Sequence, residues 1–172
     1  MDEVLKVENL KKYFTKKGMF GSESNTVRAS DNISFSIKRG EVFVLAGESG
    51  SGKSTIAKLI LKSIPLDSGK IFFEGKEIGN DPKKIKKIRM NCQMIHQDPY
   101  DSINPRMRIG DIVSEPLEIH NIGNKKERMR RMIEVLHEVK LEPAEEIAKK
   151  YPHMLSGGQR QRVVLARALA LK

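Results

Sequence analysis

Val42-Phe43-Val44-Leu45-Ala46-Gly47-Glu48-Ser49-Gly50-Ser51-Gly52-Lys53-Ser54-Thr55 is the stretch on which the reading of this sequence turns. Its first part, Val42 to Ala46, is a continuous apolar run entered from Arg39-Gly40-Glu41, the pattern of a strand buried on both faces. Its second part, Gly47 to Ser54, fits G-x-x-x-x-G-K-[ST]. The glycines admit positive φ and let backbone N–H groups converge on phosphate oxygens. A helix opening near Lys53 points the positive end of its dipole at the same anion. Lys53 supplies a mobile cation for the β- and γ-phosphates, and Ser54 offers a hydroxyl to Mg²⁺. Apolar strand, glycine loop and helix in this order are the context the motif requires, and together they imply binding of a nucleoside triphosphate.

Outward from this stretch, residues 4–10 and 26–37 contain alternating, β-branched segments that predict strands, with a loop over Lys16–Asn25. After the glycine loop a helix is expected over Ser54–Ile64, with Ile56, Leu59, Ile60 and Ile64 on one face and Pro65 as its stop. Ile71–Phe73 and Lys76–Ile78 around Glu74-Gly75 predict a hairpin, and Asn91–His96 a further short strand. From Ile109 the pattern turns helical. Met129, Met132, Ile133, Leu136 and Val139 recur at three- and four-residue steps, with Glu127 placed to pair Arg131. A last helix over Gln159–Leu171 has apolar and alanine positions around most of its circumference, which predicts burial on more than one side.

Composition sets the outer bounds. The 172 residues suffice for one domain with a real core, and a mean hydropathy of −0.46 with 31% charged residues excludes a collagen-like repeat or an acidic disordered tail. The longest apolar run, Val42–Ala46, is far too short to cross a bilayer. The start, Met1-Asp2-Glu3-Val4, does not have the pattern of a signal peptide. Cys92 is the single cysteine, so no internal disulfide forms, in keeping with a reducing compartment. The net charge of +10 attracts polyanions. Aromatics are only 5% and Trp is absent, so the interleaving expected of a nucleic-acid surface is lacking. Lysines 83, 84, 86 and 87 read as a solvated face.

A second segment, Leu155-Ser156-Gly157-Gly158-Gln159-Arg160-Gln161-Arg162, repeats the first device: a hydroxyl residue and two glycines open a helix, which makes another anion site from backbone donors. The GTPase branch is excluded on two counts. No D-x-x-G occurs, and the nearest base-reading match, Asn124-Lys125-Lys126-Glu127, ends in Glu. His96, His120, His137 and His153 are widely spaced and with one Cys form no metal-ligand cluster.

Leu155-Ser156-Gly157-Gly158-Gln159 resembles the signature motif of the ATP-binding subunits of ABC transporters. His96-Gln97-Asp98-Pro99 occupies the place of that family's Q-loop, 59 residues before Ser156. Tyr13 sits where the family stacks an aromatic ring on adenine. The run from Gln97 to Arg106, with Glu115-Pro116-Leu117 and Tyr151-Pro152-His153-Met154, resembles the oligopeptide and dipeptide importer branch, and Gln97-Asp98-Pro99-Tyr100 the second of its paired ATPases. Nickel importers share much of this pattern.

The resemblance implies an α/β fold: a P-loop NTPase core of ABC type with an N-terminal antiparallel β subdomain and a helical subdomain. Its parts would be about 1–97 (β subdomain and P-loop core), 98–155 (helical subdomain) and 156–172 (signature helix). It also implies ATP and Mg as cofactors. Tyr13, Gly47, Ser49, Gly50, Ser51, Gly52, Lys53, Ser54 and Thr55 would hold the nucleotide. Ser156, Gly157, Gly158 and Gln159 would cap the nucleotide of a second ATP-binding subunit, head to tail. Ser54 and Gln97 would face Mg, with Gln97 also the catalytic-site residue near the attacking water. Implied partners are that second subunit, two membrane permease subunits and an extracytoplasmic solute-binding protein at the cytoplasmic face of the membrane, with no nucleic acid. In the family a strand ending in Asp-Glu, the Walker B carboxylates, follows the signature helix. This sequence reaches Lys172 without them, so an incomplete core sheet and little hydrolysis by the chain alone are expected. A soluble ABC-type ATPase acting on nucleic acid is the rival reading; the short interval between the two motifs, without long coiled coils, argues against it.

Overall fold

The computed structural model describes residues 2–16, 25–96 and 102–172. The chain divides into two compact units, Met1–Cys92 and Gln93–Lys172.

In the first unit, β1 (Glu3–Lys16) and β2 (Asn25–Lys38) form a long antiparallel pair, and β3 (Ser68–Phe73) and β4 (Lys76–Glu77) complete a sheet of order β2-β1-β3-β4. Two helices belong to this unit, α1 (Lys53–Ile60) and α2 (Pro82–Asn91). Strand β1 shows how sequence sets the face. Leu5 and Val7 point into the core at the period of two, which would next bury Asn9. Instead Asn9 takes φ 49° and the register shifts between Val7 and Leu10, so the alternation slips by one residue and Leu10 and Lys12 become the inward pair. Lys12 is tolerated there because its Nζ donates to Asp67 Oδ1 at 2.8 Å. Ile56, Leu59, Ile71, Ile78 and Ile88 fill the rest of this core, each contributing about 1.5–3 kcal/mol by burial. The expected hairpin forms with Glu74 and Gly75 both at positive φ (48° and 72°), the two-residue turn whose twist matches its strands.

Several expectations for this unit need correction. Residues 41–48 have no regular secondary structure, and Val42 and Val44 are 89% and 75% exposed. A parallel strand is held by neighbours on both edges, and among the described residues none pairs with this run; only Phe43 finds a partner, stacking on Phe35 at 4.8 Å between centroids. The first helix ends at Ile60, before Pro65. Lys62 turns left-handed (φ 52°), and the Lys62 and Ser63 amides donate to the Leu59 and Lys58 carbonyls, a C-terminal cap that closes the helix. Arg89 then donates to the Leu61 and Lys62 carbonyls at 3.1 and 2.7 Å. Asn91–His96 forms no strand; Asn91 ends α2 and residues 92–96 are irregular. Helix α2 itself lay hidden in the lysine run, although Asp81 caps it at the Lys83 amide, Pro82 opens it, and Ile85, Ile88 and Cys92 recur on one side.

The second unit is helical: α3 (Ile109–Ile119), α4 (Lys125–Glu138), α5 (Ala144–Lys149), a 3₁₀ turn (Pro152–Met154) and α6 (Gly157–Leu169). Helix α3 packs against α4, α5 and α6. Ile109, Val113, Val135, Leu136 and Val163 are fully buried at their junction. Of the stripe expected on α4, Met132, Leu136 and Val139 are buried, while Met129 is 57% exposed. Glu127 does not reach Arg131: it accepts from the Asn124 amide in a capping box, and Arg131 pairs with Glu138 at 2.9 Å and Glu134 at 3.5 Å. Helix α6 buries one broad face, Val163, Val164 and Ala166, continued by Ala170 just past its end, and exposes Leu165 opposite, so it is not enclosed on several sides.

Candidate functional site

The phosphate loop closes on α1. Gly52 is the N-cap of that helix, at φ 91° and ψ 2°, and the Ile56 amide donates to its carbonyl at 3.0 Å. A Cβ on Gly52 would lie 1.9 Å from the Ala29 carbonyl oxygen, so both the left-handed backbone and the close approach to β2 require glycine. Because the cap has no side chain, no side-chain acceptor takes up the first-turn amides, and no acidic residue stands in that turn. Lys53 Nζ folds back over the loop, donating to the Gly47 and Glu48 carbonyls at 2.7 and 2.5 Å and to Ser51 Oγ at 3.2 Å. The loop from Gly47 to Ser51 and the Ser54 side are exposed; Gly52, Lys53 and Thr55 are half-buried. Free first-turn amides, a positive helix end, an ammonium tethered beside them and an exposed hydroxyl at Ser54 form a donor set that suits a polyphosphate with a hard cation.

The second candidate helix end is built differently. Ser156 caps α6: its Oγ accepts from the Gln159 amide at 3.3 Å, and Gln159 Oε1 accepts from the Ser156 amide at 3.0 Å. Leu155 is buried and anchors the turn, and Arg160 Nη1 donates to its carbonyl at 2.6 Å. Gly157 and Gly158 are exposed, and a Cβ on either would meet nothing within 4 Å.

Tyr13 lies on β1 opposite Arg28 of β2. Its hydroxyl donates to Asp31 Oδ1 at 2.7 Å, its amide donates to Asp67 Oδ2 at 2.6 Å, and the Arg28 guanidinium sits 5.8 Å from the ring centroid. The hydrogen bond to the Asp31 carboxylate raises the phenol above its ordinary pKa. Asp67 is held below the usual carboxylate range, first by the Lys12 hydrogen bond and then by the Tyr13 amide. Neither aspartate was legible as a Tyr13 partner, because they lie 18 and 54 residues away. Gln97 lies outside the described residues. Among the described residues no group of three His, Cys, Asp or Glu side chains is placed to hold a metal. Burial raises the Cys92 thiol, which disfavours the reactive thiolate. In the helical unit a cleft of about 600 Å³ opens between α3, α4 and α5, lined by Met129, Met132 and Ile133 among the charged groups of Arg108, Asp111, Lys125 and Glu145.

A glycine-capped helix end carrying Gly52-Lys53-Ser54 in one unit and a Ser156-Gly157-Gly158 helix end in the other define the nucleotide-binding cassette class of P-loop proteins. Residues 30–172 match the sequence profile of the family described as ABC transporter, and the chain belongs to that family. It is 41% identical over 173 aligned positions to the oligopeptide transport ATP-binding protein AppF of Bacillus subtilis (strain 168), covering 99% of this chain and 52% of that protein. It is 43% identical to OppF, named likewise, from the same strain, with 99% and 54% covered. A probable peptide ABC transporter ATP-binding protein, y4tS of Sinorhizobium fredii, is 41% identical, with 99% and 48% covered. The chain thus spans about half the length of these relatives. Among solved structures, the dimeric post-hydrolysis state of the ATP-binding cassette MJ0796, bound to ADP and Pi, superposes with a TM-score of 0.79 at 31% identity, over 96% of this chain and 69% of that one.

Proposed function

We propose that this chain is the nucleotide-binding part of an ATPase subunit that couples ATP binding and hydrolysis to the import of oligopeptides or dipeptides. The observation that carries the reading is the N-terminus of α1, where a left-handed glycine leaves the first-turn amides without a side-chain acceptor beneath the tethered Lys53 ammonium. The names borne by the similar proteins AppF, OppF and y4tS support peptide as the cargo.

In this reading Gly47, Ser49, Gly50, Ser51 and Gly52 wrap the phosphates with backbone donors. Lys53 exchanges its two carbonyl acceptors for β- and γ-phosphate oxygens, a stronger, charge-assisted pairing. Ser54 and Gln97 face Mg²⁺, which when bound neutralises charge on the phosphates; Thr55 completes the turn and Tyr13 offers its ring to adenine. Ser156, Gly157, Gly158 and Gln159 face the γ-phosphate of ATP held by a second ATP-binding subunit, with the Gly157 and Gly158 amides and the Ser156 hydroxyl as donors, since the Ser156 and Gln159 amides are taken up in the capping box. Gln97 reports the nucleotide state, and the cleft of the helical unit offers a surface to the permease subunits at the cytoplasmic face. An extracytoplasmic solute-binding protein delivers the peptide.

Titration with a fluorescent ATP analogue tests the nucleotide reading: Lys53→Ala should weaken binding on the order of tenfold to a hundredfold, and wild-type affinity in that variant would overturn it. Uptake of a labelled tripeptide by cells carrying the whole transporter tests the cargo. The same substitution should abolish uptake, and uptake at the wild-type rate would contradict the importer assignment.

A further inference from the structure

Helix α2 carries its charge on one side only. Ile88 is fully buried, and Ile85 and Cys92 pack on the same core, so the apolar side of the helix is committed inward. Lys83, Lys86 and Lys87, three and four residues apart, face outward together with the exposed Lys84. Residues 70–92 hold seven basic side chains against three acidic ones. All three acidic groups are already engaged: Glu74 pairs with Lys87 and Arg39, Glu77 pairs with Lys70, and Asp81 caps the helix. Lys84 Nζ donates to the Glu77 carbonyl at 2.8 Å. Among the described residues the Lys83 and Lys86 ammonium groups have no partner, so this helix presents unneutralised positive charge to solvent.

We propose that the outward face of α2, centred on Lys83 and Lys86, is a docking surface for an anionic phospholipid bilayer. Two features favour lipid phosphate. The exposed face has no aromatic side chain on which a base could stack, and the cations at its centre are lysines, compact point charges suited to lipid phosphates; Arg89, the one arginine of α2, is turned to the Leu61 and Lys62 carbonyls. With the apolar side buried, the helix adheres at the headgroup level by charge alone and does not insert. The choice of a membrane rests also on the transport reading above; the charge geometry does not. Such a contact would hold the first unit against the bilayer from a surface separate from the phosphate loop.

Co-sedimentation of the chain with vesicles of phosphatidylcholine containing about 30% phosphatidylglycerol tests this, with pure phosphatidylcholine vesicles as reference and a 20-base single-stranded oligonucleotide as competitor. Binding is expected to the anionic vesicles only and to collapse as salt screens it. Each lysine near the surface is worth roughly fivefold, so Lys83→Gln with Lys86→Gln should weaken binding about 25-fold. Lys126→Gln with Lys140→Gln, which removes the same charge from exposed positions in the helical unit, should leave it unchanged. Absence of vesicle binding, an equal loss in both double variants, or oligonucleotide displacing the vesicles through Lys83 and Lys86 would each overturn the proposal. Nucleotide affinity should survive Lys83→Gln with Lys86→Gln, and vesicle binding should survive Lys53→Ala, so the two readings fail separately.

Discussion

At the start of α1 the chain puts a left-handed glycine against the β2 backbone and leaves the first-turn amides without a side-chain acceptor, whereas at the start of α6 Ser156 and Gln159 satisfy one another. Both segments read in sequence as the same device, small residues opening a helix toward an anion. The structure separates them by how much each needs a guest. The first is tied from its side chains by Lys53, which bends back onto two carbonyls and a hydroxyl. The second is complete by itself as a helix cap, with Gly157 and Gly158 serving as open approach surface. A site that holds phosphate in its own chain has to leave donors free. A site that meets phosphate offered by another molecule can be capped and still present glycine amides.

The largest effect that would break or sharpen this contrast comes from adding the same methyl group at both ends. Gly52→Ala drives a Cβ to within 1.9 Å of the Ala29 oxygen and should cost several kcal/mol, roughly 3–5, with loss of nucleotide binding. Gly158→Ala meets nothing within 4 Å and should raise stability by about 0.5–1 kcal/mol through helix propensity. Chemical denaturation of both variants checks the pair, and changes of the same sign would undo the contrast. Next in size, Ser156→Ala removes a cap and should lower stability by about 1 kcal/mol without altering ATP-analogue affinity of the isolated chain, measured by denaturation and titration.

The smallest effect concerns the anchor of Tyr13. Asp67 has its folded pKa depressed by Lys12 and the Tyr13 amide, so its contribution is present above the unfolded carboxylate value near 4 and is lost as pH falls through the lower folded value. Asp67→Asn should therefore lower stability at pH 7 and flatten its decline toward pH 3, which urea midpoints across that range would record. The group is well exposed, so the change is modest.

What sequence could show depended on how local the determinants were. The glycine loop, the Glu74-Gly75 hairpin and the start of α3 at Ile109 each rest on residues adjacent in the chain, and each forms where the pattern predicts. The Val42–Ala46 run is legible as apolar, but a strand exists only when another strand pairs with it, and none does so among the described residues. The end of α1 at Ile60 is not legible because the left-handed residue that closes it, Lys62, is a lysine where glycine would have signalled it. The phase slip at Asn9 and the ties of Tyr13 to Asp31 and Asp67 are set by tertiary neighbours, which no window of sequence contains. At the site itself, the residue types were readable at both helix ends, Ser156 as a helix-opening hydroxyl among them; the left-handed Gly52 pressed against the Ala29 carbonyl became visible only in the structure.

Amide chemical shifts during an ATP–Mg titration test the central claim most directly, at a protein concentration too low for self-association. The account predicts large shifts at Gly50, Gly52, Lys53, Ser54 and Thr55, with Gly157, Gly158 and Gln159 unmoved. Shifts at residues 157–159 with the 50–55 amides silent would contradict it.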